Sequence, residues 1–151
     1  GPLQYLITLN TNNIHALHEA RVLVDGGIAR MAAHNITDAD IARLRAMVVV
    51  QQGLVGDPVG FRVSDLEFHR TIMEASRNPL LIRVSHSFYV IGMEYRRAAT
   101  LVPGLIEQSV SDHVALVNAL AARDEQASEA AMLRHIHNVH QSTLDAMGGS
   151  E

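Results

Sequence analysis

The chain contains no cysteine and no tryptophan, and its 12 basic residues are all arginine. Without cysteine there is neither a disulfide nor a thiolate ligand, so any metal must be held by imidazole and carboxylate groups. Aromatic residues make up only 4% of the chain, which argues against a base-stacking surface. The 16 acidic residues outnumber the arginines and leave a net charge of −4, and the arginines are spread as singles and two close pairs. A nucleic-acid-binding module presents a cationic patch, so direct DNA contact by this chain is not expected. No apolar run approaches the roughly 20 residues of a membrane-spanning helix, and the start lacks the pattern of a signal peptide. The expectation is a soluble, cytoplasmic protein that makes no membrane contact.

What is present is 151 residues at 48% hydrophobic content, enough for one domain with a proper core and too little for two. Gly1-Pro2 reads as the scar of a tag-removing protease and Thr11-Asn12-Asn13 as the end of a linker. Residues 1–13 are thus assigned to scar and linker, and 14–147 to the folded domain of a longer protein. Apolar residues recur at helical spacing from Ile14 to Ala33, through Leu17, Val24, Ile28 and Met31. His34-Asn35 reads as the break, and Thr37-Asp38-Ala39-Asp40 resembles a capping box that opens a second helix to Gln52. Further helices are predicted over 61–77, 80–100, 105–122 and 125–147, the fourth packing through Leu81, Val84, Phe88, Ile91 and Tyr95. Nothing reads as a strand. Short connections favour antiparallel neighbours, so the expected fold is all-α, an antiparallel bundle of about six helices.

One helix carries an anomaly. Asp65 and His69 lie one turn apart on the same face as Phe61, Phe68 and Ile72, so two polar groups point into the core. Buried polar groups need partners, and two more histidines supply candidates. His113 lies on the apolar stripe of Val110, Val114, Val117 and Leu120, and His135 on that of Met132, Ile136 and Val139. Both are eleven residues from Asp124, at the turn between their helices, so in an antiparallel hairpin they sit level, about 16 Å from the turn. Asp65, His69, His113 and His135 make a three-histidine, one-carboxylate set that suits a divalent metal, zinc foremost, with nickel, manganese, cobalt or iron able to use the same ligands. The alternative is a hydrogen-bonded polar core. His15, His18, His34, His86, His137 and His140 have no positional argument and read as solvated or partly buried. Arg21 falls on the apolar stripe of the first helix, where it snorkels, pairs with Asp25, or meets an anion inside the protein.

These residues resemble a known family. Asp65-Leu66-Glu67-Phe68-His69, Glu74-Ala75-Ser76-Arg77-Asn78-Pro79-Leu80, Asp112-His113 and Met132-Leu133-Arg134-His135-Ile136 are similar to motifs of the FCD effector domain of FadR-type GntR transcription regulators. Arg21-Val22-Leu23-Val24-Asp25 through Ala32-Ala33 is similar to that domain's first helix, with Asp25 where glutamate is more usual. The resemblance spans roughly residues 14 to 145. It implies a helical bundle with an internal metal and ligand cavity, C-terminal to a winged helix-turn-helix domain absent from this chain. In metal-containing members the four matched positions hold a divalent ion. The resemblance further implies a homodimer, most simply a repressor, that binds DNA only through the absent domain. Arg21 could then clamp the carboxylate of a small organic acid that also touches the metal, with Tyr95 and Arg96 lining the same cavity. The rival reading is a metal-dependent hydrolase or lyase. It lacks a nearby general base, since Glu67 is rotated about 200° from both Asp65 and His69, and Glu74 about 180° from Asp65.

Overall fold

The computed structural model describes residues 11–148, which form seven helices. They are α1 (Thr11–Asn35), α2 (Asp38–Gln52), α3 (Pro58–Ala75), α4 (Pro79–Ile91), α5 (Met93–Ala99), α6 (Leu105–Ala121) and α7 (Glu125–Ala146). There is no strand among the described residues, and no helix there is long and apolar enough to cross a membrane. Most of the expected scar and linker lies outside the described residues, but its last part, from Thr11, belongs to α1.

The helix boundaries follow local chemistry. At the start of α2, Thr37 and Asp40 cap each other reciprocally: Asp40 N–H donates to Thr37 Oγ1 at 3.1 Å and Thr37 N–H to Asp40 Oδ2 at 3.4 Å. Asp57, Asn78 and Asp124 cap α3, α4 and α7, each accepting from backbone N–H groups of the following turn. Four described residues are left-handed; Gly104 at φ 85° and Gly148 at φ 74° are glycine, but two turns use arginine, Arg77 at φ 59° and Arg123 at φ 55°. Arg123 uses its position to donate to the Ile36 carbonyl and to pair with Asp38 at 3.1 Å, tying the α6–α7 turn to the α1–α2 turn.

α7 packs antiparallel between α1 and α6, and the core is filled from all sides by Ile28, Leu44, Phe68, Ile72, Leu116 and Ile136. Burying each of these contributes about 1.5–3 kcal/mol. Ala29, Ala32 and Ala33 are fully buried on α1. One turn earlier Gly26 admits α7 so closely that an added Cβ would stand 3.2 Å from Leu133 Cδ2.

Four expectations change. The predicted fourth helix is two, because the chain turns at Gly92 and restarts, which gives seven helices rather than six. Its buried face is also different: Val84 is 39% exposed, whereas Ser85 and Tyr89 are buried. Polar bonding outweighs hydropathy there, since Ser85 donates to Asp25 at 2.6 Å and Tyr89 to Asp65 at 2.5 Å. On α6, Val114 is exposed and Leu116 takes the core position. Helix α1 also continues through His34 to Asn35 instead of breaking there.

Candidate metal centre

The bundle brings Asp65 and His69 of α3, His113 of α6 and His135 of α7 together, all buried, with one candidate ligand atom from each within 4.8 Å of the others. Asp65 Oδ1 faces His69 Nε2 at 3.2 Å and His113 Nε2 at 3.4 Å. The imidazole centroids are 5.3 Å apart for His69–His113 and His69–His135, and 4.7 Å for His113–His135. Phe68 stacks on the His113 ring at 4.0 Å and fixes its plane.

Neighbours from other helices set the direction of the lone pairs of His135 and His113. His135 Nδ1 lies 2.9 Å from Asp112 Oδ2. A carboxylate only accepts, so Nδ1 carries the proton and Nε2 keeps its lone pair. Asp112 is itself held by Gln108 at 3.0 Å and Asn138 at 3.1 Å. His113 Nδ1 lies 2.7 Å from Gln51 Oε1, while Gln51 Nε2 donates to Ser64 at 3.1 Å. That leaves His113 Nε2 buried with no hydrogen-bond partner. His113 Nε2 faces Asp65 Oδ1 at 3.4 Å as a buried lone pair with no donor, and a cation held there satisfies it. The residues present therefore fit a metal ion held by His and Asp.

Protonation agrees. Burial drives the Asp65 carboxyl upward, but its contacts with His69, His113 and Arg96 outweigh it and hold it well below the usual carboxylate range. Burial pushes His69 down and His113 further down, so both imidazoles are neutral beside an ionised carboxylate, the forms that bind metals. Burial and the Asp65 charge push Tyr89 up, so its hydroxyl stays protonated and donates to Asp65 Oδ2. Arg96 approaches the same oxygen at 3.5 Å and lies over the Tyr89 ring at 3.7 Å. Asp65 Oδ1 is left to the histidines.

Arg21 pairs through Nε with Asp25 Oδ2 at 2.8 Å, one of the expected partners. It also borders three small cavities, the first open to the surface and the other two more enclosed. The first, about 40 Å³, is shared with Tyr95, Arg96, His18 and His140. The second, about 10 Å³, touches Asp65, Arg96 and His135, and the third, also about 10 Å³, touches Asp25 and His69. A larger hollow of about 250 Å³ is an apolar groove on the outside of α3 and α5, away from the histidines. Glu67 and Glu74 are exposed, Glu67 beside Arg70 at 3.3 Å.

Sequence reasoning missed Gln51, Tyr89 and the role of Asp112. Only Asp112 left a signal, its place beside His113, because the groups that the three orient, His113, Asp65 and His135, lie on other helices.

The FCD domain family model matches residues 16–138. The chain is 27% identical over 143 residues to the HTH-type transcriptional regulator LutR of Bacillus subtilis, covering 91% of this chain and 65% of that protein. It is 30% identical over 136 residues to the HTH-type transcriptional repressor NanR of Citrobacter rodentium, covering 86% of this chain and 50% of the relative. It is 27% identical over 124 residues to the galactonate operon transcriptional repressor of Escherichia coli, covering 82% and 54%. The chain thus spans about half to two thirds of the length of the curated relatives it matches. Among solved structures, Streptococcus agalactiae GntR superposes with a TM-score of 0.71 at 27% identity, over 93% of this chain and 65% of that one. E. coli McbR/YncC shares the fold with a TM-score of 0.79 at 14% identity, over 95% of this chain and 68% of that one. With a family model matched over most of its length and relatives that are transcriptional regulators, the chain belongs to the FCD domain family.

Proposed function

We propose that residues 14–147 are the effector-sensing and dimerising domain of a metabolite-responsive transcription regulator, a repressor in the simplest case, acting in the cytoplasm. In this reading a winged helix-turn-helix domain on the N-terminal side makes the DNA contacts, and the sensing domain carries no catalysis. Asp65, His69, His113 and His135 hold a divalent metal, zinc foremost, and a small carboxylate metabolite binds beside it. The observation that carries this is the position of Arg21, which borders all three small cavities, two of which touch the four-residue centre.

A bound metal supplies a Lewis-acidic position for an effector oxygen. Arg21 Nε is committed to Asp25, so a carboxylate clamp uses the terminal guanidinium nitrogens, and Arg96 and Tyr95 close the first cavity around it. The cavities are small, so closure around an acid must move α1 or α5. An effector that binds one helix arrangement better than another shifts the population of that arrangement, and hence the spacing of two DNA-binding domains in a dimer. Two relatives are named for a galactonate operon and an L-lactate dehydrogenase operon, which makes hydroxy acids the first effectors to screen.

The test is elemental analysis of the dialysed protein, followed by calorimetric titration of the metal-loaded protein with a panel of small hydroxy acids. The expected result is one transition-metal equivalent lost in His69→Ala and His135→Ala, and acid binding lost in Arg21→Ala with that metal retained. Acid binding unchanged in Arg21→Ala refutes the clamp. No metal retained, and none rebound after zinc or nickel is added, refutes the centre.

A further inference from the structure

Outside the centre the fold gathers four of the remaining six histidines. His15 and His18 are three residues apart in the first turns of α1, and His137 and His140 are three apart on α7. That spacing puts each pair on one helix face, and the antiparallel packing of α1 on α7 brings the two pairs together. The His18 and His140 rings stack at 4.1 Å, His15 and His140 meet edge to face at 5.1 Å, and His18 and His137 stand 6.3 Å apart. The separations bracket the 4.7 to 5.3 Å found between the three imidazoles of the centre. His18 Nδ1 is buried without a hydrogen-bond partner, and His18 and His140 both line the cavity of Arg21, Tyr95 and Arg96.

We infer that His15, His18, His137 and His140 form a second transition-metal site, which clamps the start of α1 to α7 beside that cavity. An all-imidazole donor set selects zinc, nickel or copper(II) over calcium and magnesium. To engage one ion the stacked His18 and His140 rings must turn about their side-chain bonds, and the exposed His15 and His137 swing in from the surface. Burial and the neighbouring imidazoles push His140 down to about 4, and burial with the nearby His137 and Arg21 charges lowers His18, so both rings present lone pairs at neutral pH. Arg21, one turn beyond His18, is bounded on one side by the centre and on the other by this cluster.

Equilibrium dialysis of the wild-type chain against nickel, read by elemental analysis, tests the site. Two bound equivalents are expected. His18→Ala/His140→Ala retains the one at the centre, and His69→Ala/His135→Ala retains the one in the outer cluster. Circular dichroism checks folding, and His15→Gln/His137→Gln, at two exposed positions, gives the same readout without disturbing buried packing. A single equivalent removed only by His69→Ala/His135→Ala overturns the inference and leaves the sensor centre standing. A single equivalent removed only by the outer variants upholds it and sinks the centre. Two equivalents that survive both outer variants overturn it.

Discussion

Asp112 does not reach the centre, yet its substitution tests how the centre works. Asp112 Oδ2 accepts from His135 Nδ1 at 2.9 Å, and that bond holds the tautomer whose Nε2 lone pair is free for the proposed metal. In Asp112→Asn the side chain keeps its shape, but an amide NH₂ turned toward Nδ1 donates, and the imidazole proton moves to Nε2. Loss of such an orienting partner weakens metal binding about 10- to 100-fold. This corresponds to about 1.4–2.7 kcal/mol. At fixed free metal the stabilisation by bound metal falls by the same amount. At about 2–4 °C per kcal/mol for a domain this size, the metal-induced gain in Tm shrinks by roughly 3–11 °C. The assay is competition against a chromophoric chelator, paired with thermal unfolding of metal-free and metal-loaded protein, so that any change in the metal-free Tm is subtracted. Wild-type affinity in Asp112→Asn, with affinity abolished in His135→Ala, would refute the orienting role.

Phe68 is fully buried and stacked on His113, so Phe68→Ala should cost about 3–5 kcal/mol in urea unfolding; a loss under about 1 kcal/mol would mean that the α3–α6 seam repacks freely. Tyr89→Phe removes the hydroxyl that donates to Asp65 Oδ2 and should cost the metal-free protein about 1–3 kcal/mol, with an unchanged unfolding midpoint counting against that bond. The folded values of His69, His113, His18 and His140 lie below the ordinary imidazole value of 6.5. The unfolded chain therefore binds more protons once the pH drops beneath 6.5, so metal-free stability is full above that value and falls as the solution is acidified. Asp65 acts in the same direction at lower pH, its contribution being present above 3.8 and lost as the pH falls further. The urea midpoint followed from neutral to mildly acidic pH should decline, and a flat profile would contradict the neutral buried imidazoles.

Much of the centre was legible because its spacing is local. Asp65 and His69 share a helix face, and His113 and His135 are equidistant from one turn, so helical geometry pairs the residues within α3 and across the α6–α7 hairpin, and the packing of α3 then brings the two pairs together. The caps were legible for the same reason, since Thr37 and Asp40 settle their bonds within one turn. The inward face of α4 was not. Hydropathy favours Val84 and Phe88, and the choice of Ser85 and Tyr89 depends on acceptors carried by α1 and α3. The split at Gly92 escaped notice because an isolated glycine in a helical pattern is usually tolerated.

The sequence by itself determined an all-helical chain, the positions of most of its helices to within a few residues, and the inward-facing Asp65, His69, His113 and His135, because each follows from periodicity along one helix. Tertiary structure alone decided which atoms those side chains present to one another. The Nε2 lone pairs of His113 and His135 are directed by Gln51 and Asp112, and the pairing of His15 and His18 with His137 and His140 depends on how α1 lies against α7. A hydrogen bond or ring contact between helices far apart in sequence leaves no period to read, and those contacts set which chemistry the inward-facing groups can perform.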